Sequence, residues 1–238
     1  MKADNQFSID RALKTISAAR QMTTKWTWTE ETPDQMQTQL ETITGNSSST
    51  PPVVGQAEIA DQALRTRDGA EGAWRAQLRM LHQDTVQGLN MAKNKFRNDT
   101  ASLAVLSGLH AGGNTPEKIL SEALAWESAW NQLAPTWSPT QTNTLAAFKT
   151  LRKQCAEDLQ TAFTDADSAS HEQSAKLDQM CSDLEDANVA WYADATRVFP
   201  AGTAEGDMIR STVPTTYTPS TSTPPPAPAP TTTPAKTP

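Results

Sequence analysis

A helical pattern that occurs twice is the feature that most constrains the fold of this chain. Residues 28–35 and residues 137–141 each place a tryptophan just before a proline-containing helix start. Residues 96–106, which begin with a phenylalanine, are echoed by residues 199–209 at an offset close to that of the two helix starts. A duplicated helical hairpin is the simplest explanation for such a repeat.

Apolar residues recur at spacings of three and four along most of the chain, which is typical of amphipathic helices. Clusters of glycine and proline mark the breaks between them. The pattern predicts a first helical hairpin region over residues 1–134, with a linker at 45–56 and a bridging helix at 115–133. A second helical hairpin is expected over residues 135–212. No pair of β-strands is indicated, so the predicted fold class is all-α, an elongated bundle of two tandem, duplicated hairpins joined by a short helix.

Two local features of these helices are predicted in more detail. Thr32 is expected to cap the helix that follows it, and Gln35 completes a capping box. A later helical pattern runs from about residue 57 to residue 98. Gly69 and Gly72 each cost about 1 kcal/mol inside a helix, so a kink or a break is expected there.

The last residues, 213–238, have a composition that opposes folding. They consist almost entirely of Thr, Pro, Ser and Ala, and residues 224–230 are proline-rich. Proline lacks the backbone donor that a helix needs and favours the polyproline II conformation. The prediction for this segment is a disordered, solvated spacer.

The formal charge of −7 is unevenly distributed along the chain. Residues 154–196 contain ten carboxylates and one lysine, a net charge of −9, whereas residues 65–97 contain seven basic and three acidic side chains, a net charge of +4. We expect these oppositely charged faces to be solvated and to complement each other across the bundle. Because the basic segment is short and belongs to an acidic protein, no nucleic-acid partner is predicted.

The sequence offers no segment for crossing a membrane, since none reaches the ~18 consecutive apolar residues that a spanning helix needs. Near the N-terminus, Lys2 is followed by polar residues rather than by the apolar stretch of a secretory signal. The expected location is therefore the cytoplasm. The alternative is export by a route without a cleaved Sec signal, because tails of this composition serve as envelope spacers.

Cys155 and Cys181 are the only cysteines in the chain. If the second hairpin turns near Ser168, each lies thirteen residues from the turn, so the two lie at the same height on antiparallel helices. A disulfide between them is then a candidate, provided that the Cα atoms come within ~7 Å. The alternative is that both are reduced, buried thiols, which suits a cytoplasmic protein.

The chain carries none of the sequence motifs that usually mark a reaction or a cofactor. Its three histidines, His82, His110 and His171, are scattered, and neither cysteine has a further ligand at zinc-binding spacing. The motifs of zinc proteases, serine hydrolases, phosphate loops and dinucleotide sites are all absent. We therefore predict no catalytic residue, no metal site and no cofactor, and an enzymatic activity is not the expected function.

Seven tryptophans against two tyrosines are an unusual balance for a helical protein. Trp126 and Trp130 lie one turn apart on the bridging helix, so they face the same surface. That surface is either the core of the bundle or a groove for an apolar helix or ligand, since tryptophan is enriched at binding hot spots. The two tryptophans are the candidate residues for binding a partner or a ligand.

Three functional hypotheses follow from these features. The leading one is a non-enzymatic interaction or scaffold protein that binds an unidentified protein partner through its helical faces and uses the tail as a tether. The second is a ligand-binding or hydrolytic helical bundle with a Trp-lined pocket, in which a carboxylate with a raised pKa would be expected. The third is an envelope-associated or exported helical protein.

Overall fold

The computed structural model describes residues 2–213, and this part of the chain is built from α-helices. Within it there is no β-strand, only a single pair of bridged residues, Asn46 and Val53. The all-α prediction is therefore confirmed. The predicted spacer, residues 213–238, lies outside the described residues except for Val213. The helices are α1 (Ala3–Met22), α2 (Pro33–Thr44), α3 (Gln56–Lys95), α4 (Thr100–Ser107), α5 (Pro116–Leu133), α6 (Leu145–Lys153), α7 (Leu159–Val198) and α8 (Ala204–Ser211), and a π-helical turn (Gln154–Asp158) joins α6 to α7.

The chain divides into two compact units. The terminal unit is formed by the described residues 2–36 and 184–213, and the central unit by residues 37–183. The terminal unit therefore combines two segments that are far apart in the sequence, whereas the central unit is one continuous stretch of chain. The terminal unit pairs α1 with α8, and the central unit packs α3 against α4, α5 and α6.

Helix starts in both units follow from local side-chain chemistry. Asp99, Thr115, Thr144 and Thr203 each accept a hydrogen bond from a backbone N–H of the first helical turn that follows. At α2 the backbone N–H of Thr32 donates to Gln35 Oε1 (2.7 Å), and the backbone N–H of Gln35 donates to Thr32 Oγ1 (3.3 Å). The predicted capping box is thus confirmed.

At the two glycines of α3 the predicted break is wrong, and a kink stays a prediction. The helix runs without a break through Gly69 and Gly72 to Lys95, a length of about 60 Å at 1.5 Å per residue. Neither glycine has a neighbouring atom within 4 Å of where a Cβ would lie. Their cost is therefore limited to helix propensity, which packing of the other helix positions outweighs.

The structure also corrects the second hairpin predicted over residues 135–212. α7 continues through Ser168 without a turn, because residues 159–198 contain neither glycine nor proline to end the helix. The two predicted arms of the hairpin are one continuous helical run. Its start is also later than predicted, since residues 139–142 form a bend and α6 begins at Leu145 with Thr144 as its cap.

The lengths of the helices are repeated along the chain. α3 has 40 residues and is followed by the 8-residue α4, and α7 has 40 residues and is followed by the 8-residue α8. In the central unit Phe96 contacts Trp137 edge-on at a centroid distance of 6.3 Å, and in the terminal unit Phe199 contacts Trp26 edge-on at 6.3 Å. These parallels agree with the duplication, which stays a prediction.

The core of the terminal unit combines apolar packing with buried polar contacts. The indole N–H of Trp28 donates to Asp194 Oδ2 at 3.0 Å. The guanidinium of Arg11, whose side chain is 8% exposed, forms an ion pair with Glu185. A buried ion pair of this kind adds little net stability, but removing one partner leaves an uncompensated charge. The pair therefore favours this packing of α1 against this part of α7.

Candidate functional site

The structure places Trp126 and Trp130 in the core of the central unit. Each is 1% exposed, and the two indoles stack with centroids 5.3 Å apart. The indole N–H of Trp130 donates to the backbone carbonyl of Trp137 at 2.8 Å. Trp130 also contacts Trp137 (6.1 Å) and Phe148 (5.9 Å) through its ring. These two neighbours come from outside α5, since Trp137 lies in the loop that follows it and Phe148 lies in α6, so the periodicity of α5 did not indicate them.

Trp126 lies where α5 closely approaches α3. Gly88 of α3 is buried, and a Cβ built on it would lie 2.9 Å from Trp126 Nε1 and 3.1 Å from two carbons of the same ring. The absence of a side chain at Gly88 is therefore what makes room for the indole. Because neither tryptophan exposes surface, a binding role for them would require this core to open.

The two cysteines do not meet, which corrects the candidate disulfide. Both are free and buried, and they lie on the same continuous helical run. A separation of 26 residues along a helix corresponds to about 39 Å, far beyond the ~7 Å limit for the Cα atoms of a disulfide. The hairpin turn on which the bridge depended is absent. Burial raises the pKa of the Cys155 thiol to about 11, and burial together with the Asp178 carboxylate raises the pKa of the Cys181 thiol.

Both thiols are expected to resist chemical modification in the folded protein. Cys155 is 0% exposed and Cys181 is 2% exposed, and thiols with raised pKa values hold little of the reactive thiolate at pH 8. A disulfide-exchange dye such as Ellman's reagent should therefore release no rapid signal from the native protein and should titrate both cysteines in denaturant. A thiol that reacts within seconds in the native protein would contradict this placement.

A Trp-lined crevice does exist, but in the terminal unit and from other tryptophans. Trp26, Trp28 and Trp191 line it together with Met36 and Pro33. Its interior has room for about one water molecule. Trp191 is 1% exposed and Trp28 is 6% exposed, so only Trp26 presents a substantial surface. The closely spaced Trp26 and Trp28 were the available sequence signal.

One side of α3, wholly within the central unit, differs from the rest of the surface in its composition. Four amide side chains on this side are exposed, and His82, Val86 and Met91 among them are half-buried. None of the residues is charged, although charged residues make up 20% of the chain. We call this surface the amide face; it consists of His82, Gln83, Val86, Gln87, Asn90, Met91 and Asn94.

The opposite side of α3 explains why the amide face points outward. Leu78, Leu81, Gly88, Leu89 and Ala92 are buried against the core of the central unit. The residues of the amide face recur with spacings of three, four and seven, so they share one side of the helix. Lys93, which is three residues after Asn90 and seven after Val86, lies on the same side at the last turn. Met80, which is 52% exposed, lies one turn before the amide face and extends its apolar surface.

The centre of the amide face, around Gln87, is free of charge, and the charged residues lie towards its two ends. Arg79 precedes it and Arg97 follows the last turn of α3, and both are exposed. Asp84 is the single carboxylate in residues 80–98. Its partial burial raises its pKa. The surroundings of the amide face are thus positive at both ends.

The structure does not assemble the elements of a metal site or a membrane span. In residues 2–213 no group of three or more His, Cys, Asp or Glu side chains is placed to hold a metal ion. None of the helices in this range is long and apolar enough to cross a membrane.

Comparison with known proteins identifies no relative. No protein-family model, no curated protein and no solved structure matches this chain.

Proposed function

We propose that the protein is a non-enzymatic interaction or scaffold protein that binds a protein partner through the amide face of α3. The observation that carries the proposal is the absence of charge from the centre of this surface, around Gln87. Protein interfaces are marked less by overall hydrophobicity than by depletion of Lys, Glu and Asp in their centre and by enrichment in methionine. The amide face has both properties.

The chemistry of the amide face also suits a protein surface. The amide groups of Gln83, Gln87, Asn90 and Asn94 each donate and accept hydrogen bonds, so they can pair with backbone or side-chain groups of a partner. Val86 and Met91 supply apolar contact beside them, and methionine adapts its shape to the opposing surface. Because α3 is held rigidly by its buried side, the amide face is presented with little conformational cost on binding.

The proposal predicts that a charge placed in the centre of the amide face abolishes partner binding. Gln87→Lys, expressed in the source cells as an affinity-tagged protein, should recover its partner at least about tenfold less than the wild-type chain does, because an unpaired charge would be buried in the interface. The recovered proteins are quantified by mass spectrometry. Gln62→Lys, at an exposed position elsewhere on α3, is the matched control and should recover the partner normally.

The same experiment includes a chain that ends at Thr212, which separates recognition by the helices from recognition by the tail. A partner that requires Gln87 and not the tail supports the proposal. A set of recovered proteins that is identical for the wild-type chain, Gln87→Lys and Gln62→Lys would overturn it. Equal thermal unfolding of the two lysine variants shows that both are folded.

The other hypotheses have less support. A ligand-binding or hydrolytic function would need a larger cavity than the crevice at Trp26, Trp28 and Trp191 offers. The cytoplasm stays the predicted location, with export by a route without a cleaved Sec signal as the alternative. Fractionation of the source cells tests both, and a protein found only in the envelope or outside the cell would favour the third hypothesis.

A further inference from the structure

We infer that the partner of the amide face is an amphipathic helix with acidic residues at both of its ends. This inference rests on the proposed function and adds the chemistry of the partner. It is carried by two exposed arginines, Arg79 and Arg97, which border the charge-free surface at its two ends. Arg79 lies in α3 and Arg97 lies two residues beyond its last residue, Lys95, so residues 79–95 contribute about 24 Å of helix between them.

The positive charges of α3 fall into two groups that the sequence does not distinguish. In the first half of the helix the arginines are neutralised within the central unit: Arg65 pairs with Asp61 (2.5 Å), Arg67 with Asp167 (3.0 Å) and Arg75 with Glu71 (2.7 Å). Arg79 in the second half, and Arg97 just beyond the end of the helix, form no salt bridge with a described residue. The positive excess of residues 65–97 is therefore concentrated around the amide face.

Another cation at the C-terminal end of α3, Lys95, adds to the positive charge there. The ammonium group of Lys95 lies 5.7 Å from the ring centroids of both Phe96 and Trp137. This contact holds the charge near the end of the amide face without neutralising it. The carboxylates nearest in sequence are Asp84, which is only partly exposed, and Asp99, whose side chain accepts hydrogen bonds from the first turn of α4. A partner that seats on this surface is attracted by negative charge at its ends and repelled by positive charge there.

A helix is the partner structure that matches this arrangement. The amide face is a straight, narrow surface, and helices that pack side by side bring their apolar stripes into contact over several turns. A partner helix of about 18 residues spans the distance between the two arginines. Its centre would lie on Val86 and Met91, and its acidic ends would lie near Arg79 and Arg97.

Two other occupants fit less well. In a second copy paired antiparallel through the same face, Arg79 of one chain would lie near Arg97 of the other, and these like charges would repel. A nucleic acid needs phosphate contacts along the whole surface, whereas the positive charges here lie towards the two ends and the centre around Gln87 is neutral. Both remain outcomes that the experiment distinguishes.

The inference is tested with a defined probe, a helical peptide of about 20 residues with two glutamates at each end and leucine and glutamine in its contact stripe. The matched peptide has lysines in place of the glutamates. Binding to the full-length protein is measured by fluorescence anisotropy. The acidic peptide should bind, and Arg79→Glu and Arg97→Glu should each weaken its binding about five- to tenfold, because each reversal replaces an attraction by a repulsion. Higher salt should weaken binding to the wild-type protein as well.

Arg65→Glu is the control variant, since this arginine lies on the same helix but is paired and distant from the amide face. It should bind the acidic peptide as the wild-type protein does. Failure of the acidic peptide to bind, equal binding of the lysine peptide, or equal effects of Arg65→Glu and Arg79→Glu would each overturn the inference. Light scattering that shows self-association lost in Gln87→Lys, or tighter binding of an oligonucleotide than of the peptide, would overturn it in favour of those occupants.

The two proposals fail in distinguishable ways. If recovery of a partner depends on Gln87 but the acidic peptide does not bind, the proposed function holds and the inference about the partner is wrong. If no recovered protein depends on Gln87, the proposed function fails irrespective of the peptide result.

Discussion

Replacement of Trp130 by alanine is expected to lower the free energy of unfolding by about 3–5 kcal/mol. The indole is 1% exposed and contacts three other aromatic rings, so truncation removes a large apolar group and leaves a cavity. It also removes the donor to the backbone carbonyl of Trp137. Chemical denaturation followed by far-ultraviolet circular dichroism measures the change.

Two further variants show whether the effect belongs to the core. Leu124, on the same helix, is 49% exposed, and Leu124→Ala should change stability by no more than about 0.5 kcal/mol. Trp130→Phe should fall between the two alanine variants, because it retains most of the ring contacts and loses the hydrogen bond. A Trp130→Ala protein with wild-type stability would show that the indole is available for a ligand or a partner instead.

Substitution of Gly88 by alanine is expected to destabilise the protein by about 1–3 kcal/mol, although alanine is the better helix former. The added Cβ would lie 2.9 Å from Trp126 Nε1, and the ring is stacked on Trp130 and cannot shift without disturbing its neighbour. Either α3 and α5 separate or the two indoles rearrange. Thermal unfolding and the near-ultraviolet circular dichroism of the tryptophans report these changes.

The same substitution at Gly72 is the matched control. Gly72 lies in the same helix and has no neighbouring atom within 4 Å of a Cβ, so Gly72→Ala should stabilise the protein by about 0.5–1 kcal/mol through helix propensity alone. The two alanine variants should therefore change stability in opposite directions. If both are stabilising, α5 does not pack as closely on α3 as the structure shows.

Much of the local structure was predictable because it depends on interactions between residues that are close in sequence. The capping box at Thr32 and Gln35 and the bridging helix after Thr115 both follow from side chains within one turn of the helix start. The stripe of α5 that includes Trp126 and Trp130 also followed from helical periodicity.

The predicted hairpin turn near Ser168 was wrong. The expected turn came from matching two apolar stripes, whereas residues 159–198 contain no residue that ends a helix. Periodicity shows that residues are helical, but it does not show whether two stripes belong to one helix or to two. The absence of glycine and proline was the stronger signal, and it also decided against the disulfide.

At the candidate sites, periodicity did not show which side of a helix is buried. Trp126 and Trp130 were correctly paired on one side of a helix, but only their burial shows that this side faces the core. The charge-free segment around Gln87 was visible in the sequence, yet its meaning depended on which side of α3 is buried. Likewise, the net charge of residues 65–97 did not indicate which arginines are neutralised and which are not.

The sequence by itself determined the helical class of this protein, most of the helix starts and the composition that separates residues 213–238 from the rest. These properties depend on backbone propensity, capping and periodicity, which act within a few residues. Only the tertiary structure decided that the two tryptophans of α5 fill a core and that the unpaired arginines border the amide face. Each of these depends on contacts between residues that are distant in sequence, and such contacts select one side of a helix for burial and leave the other available for a partner.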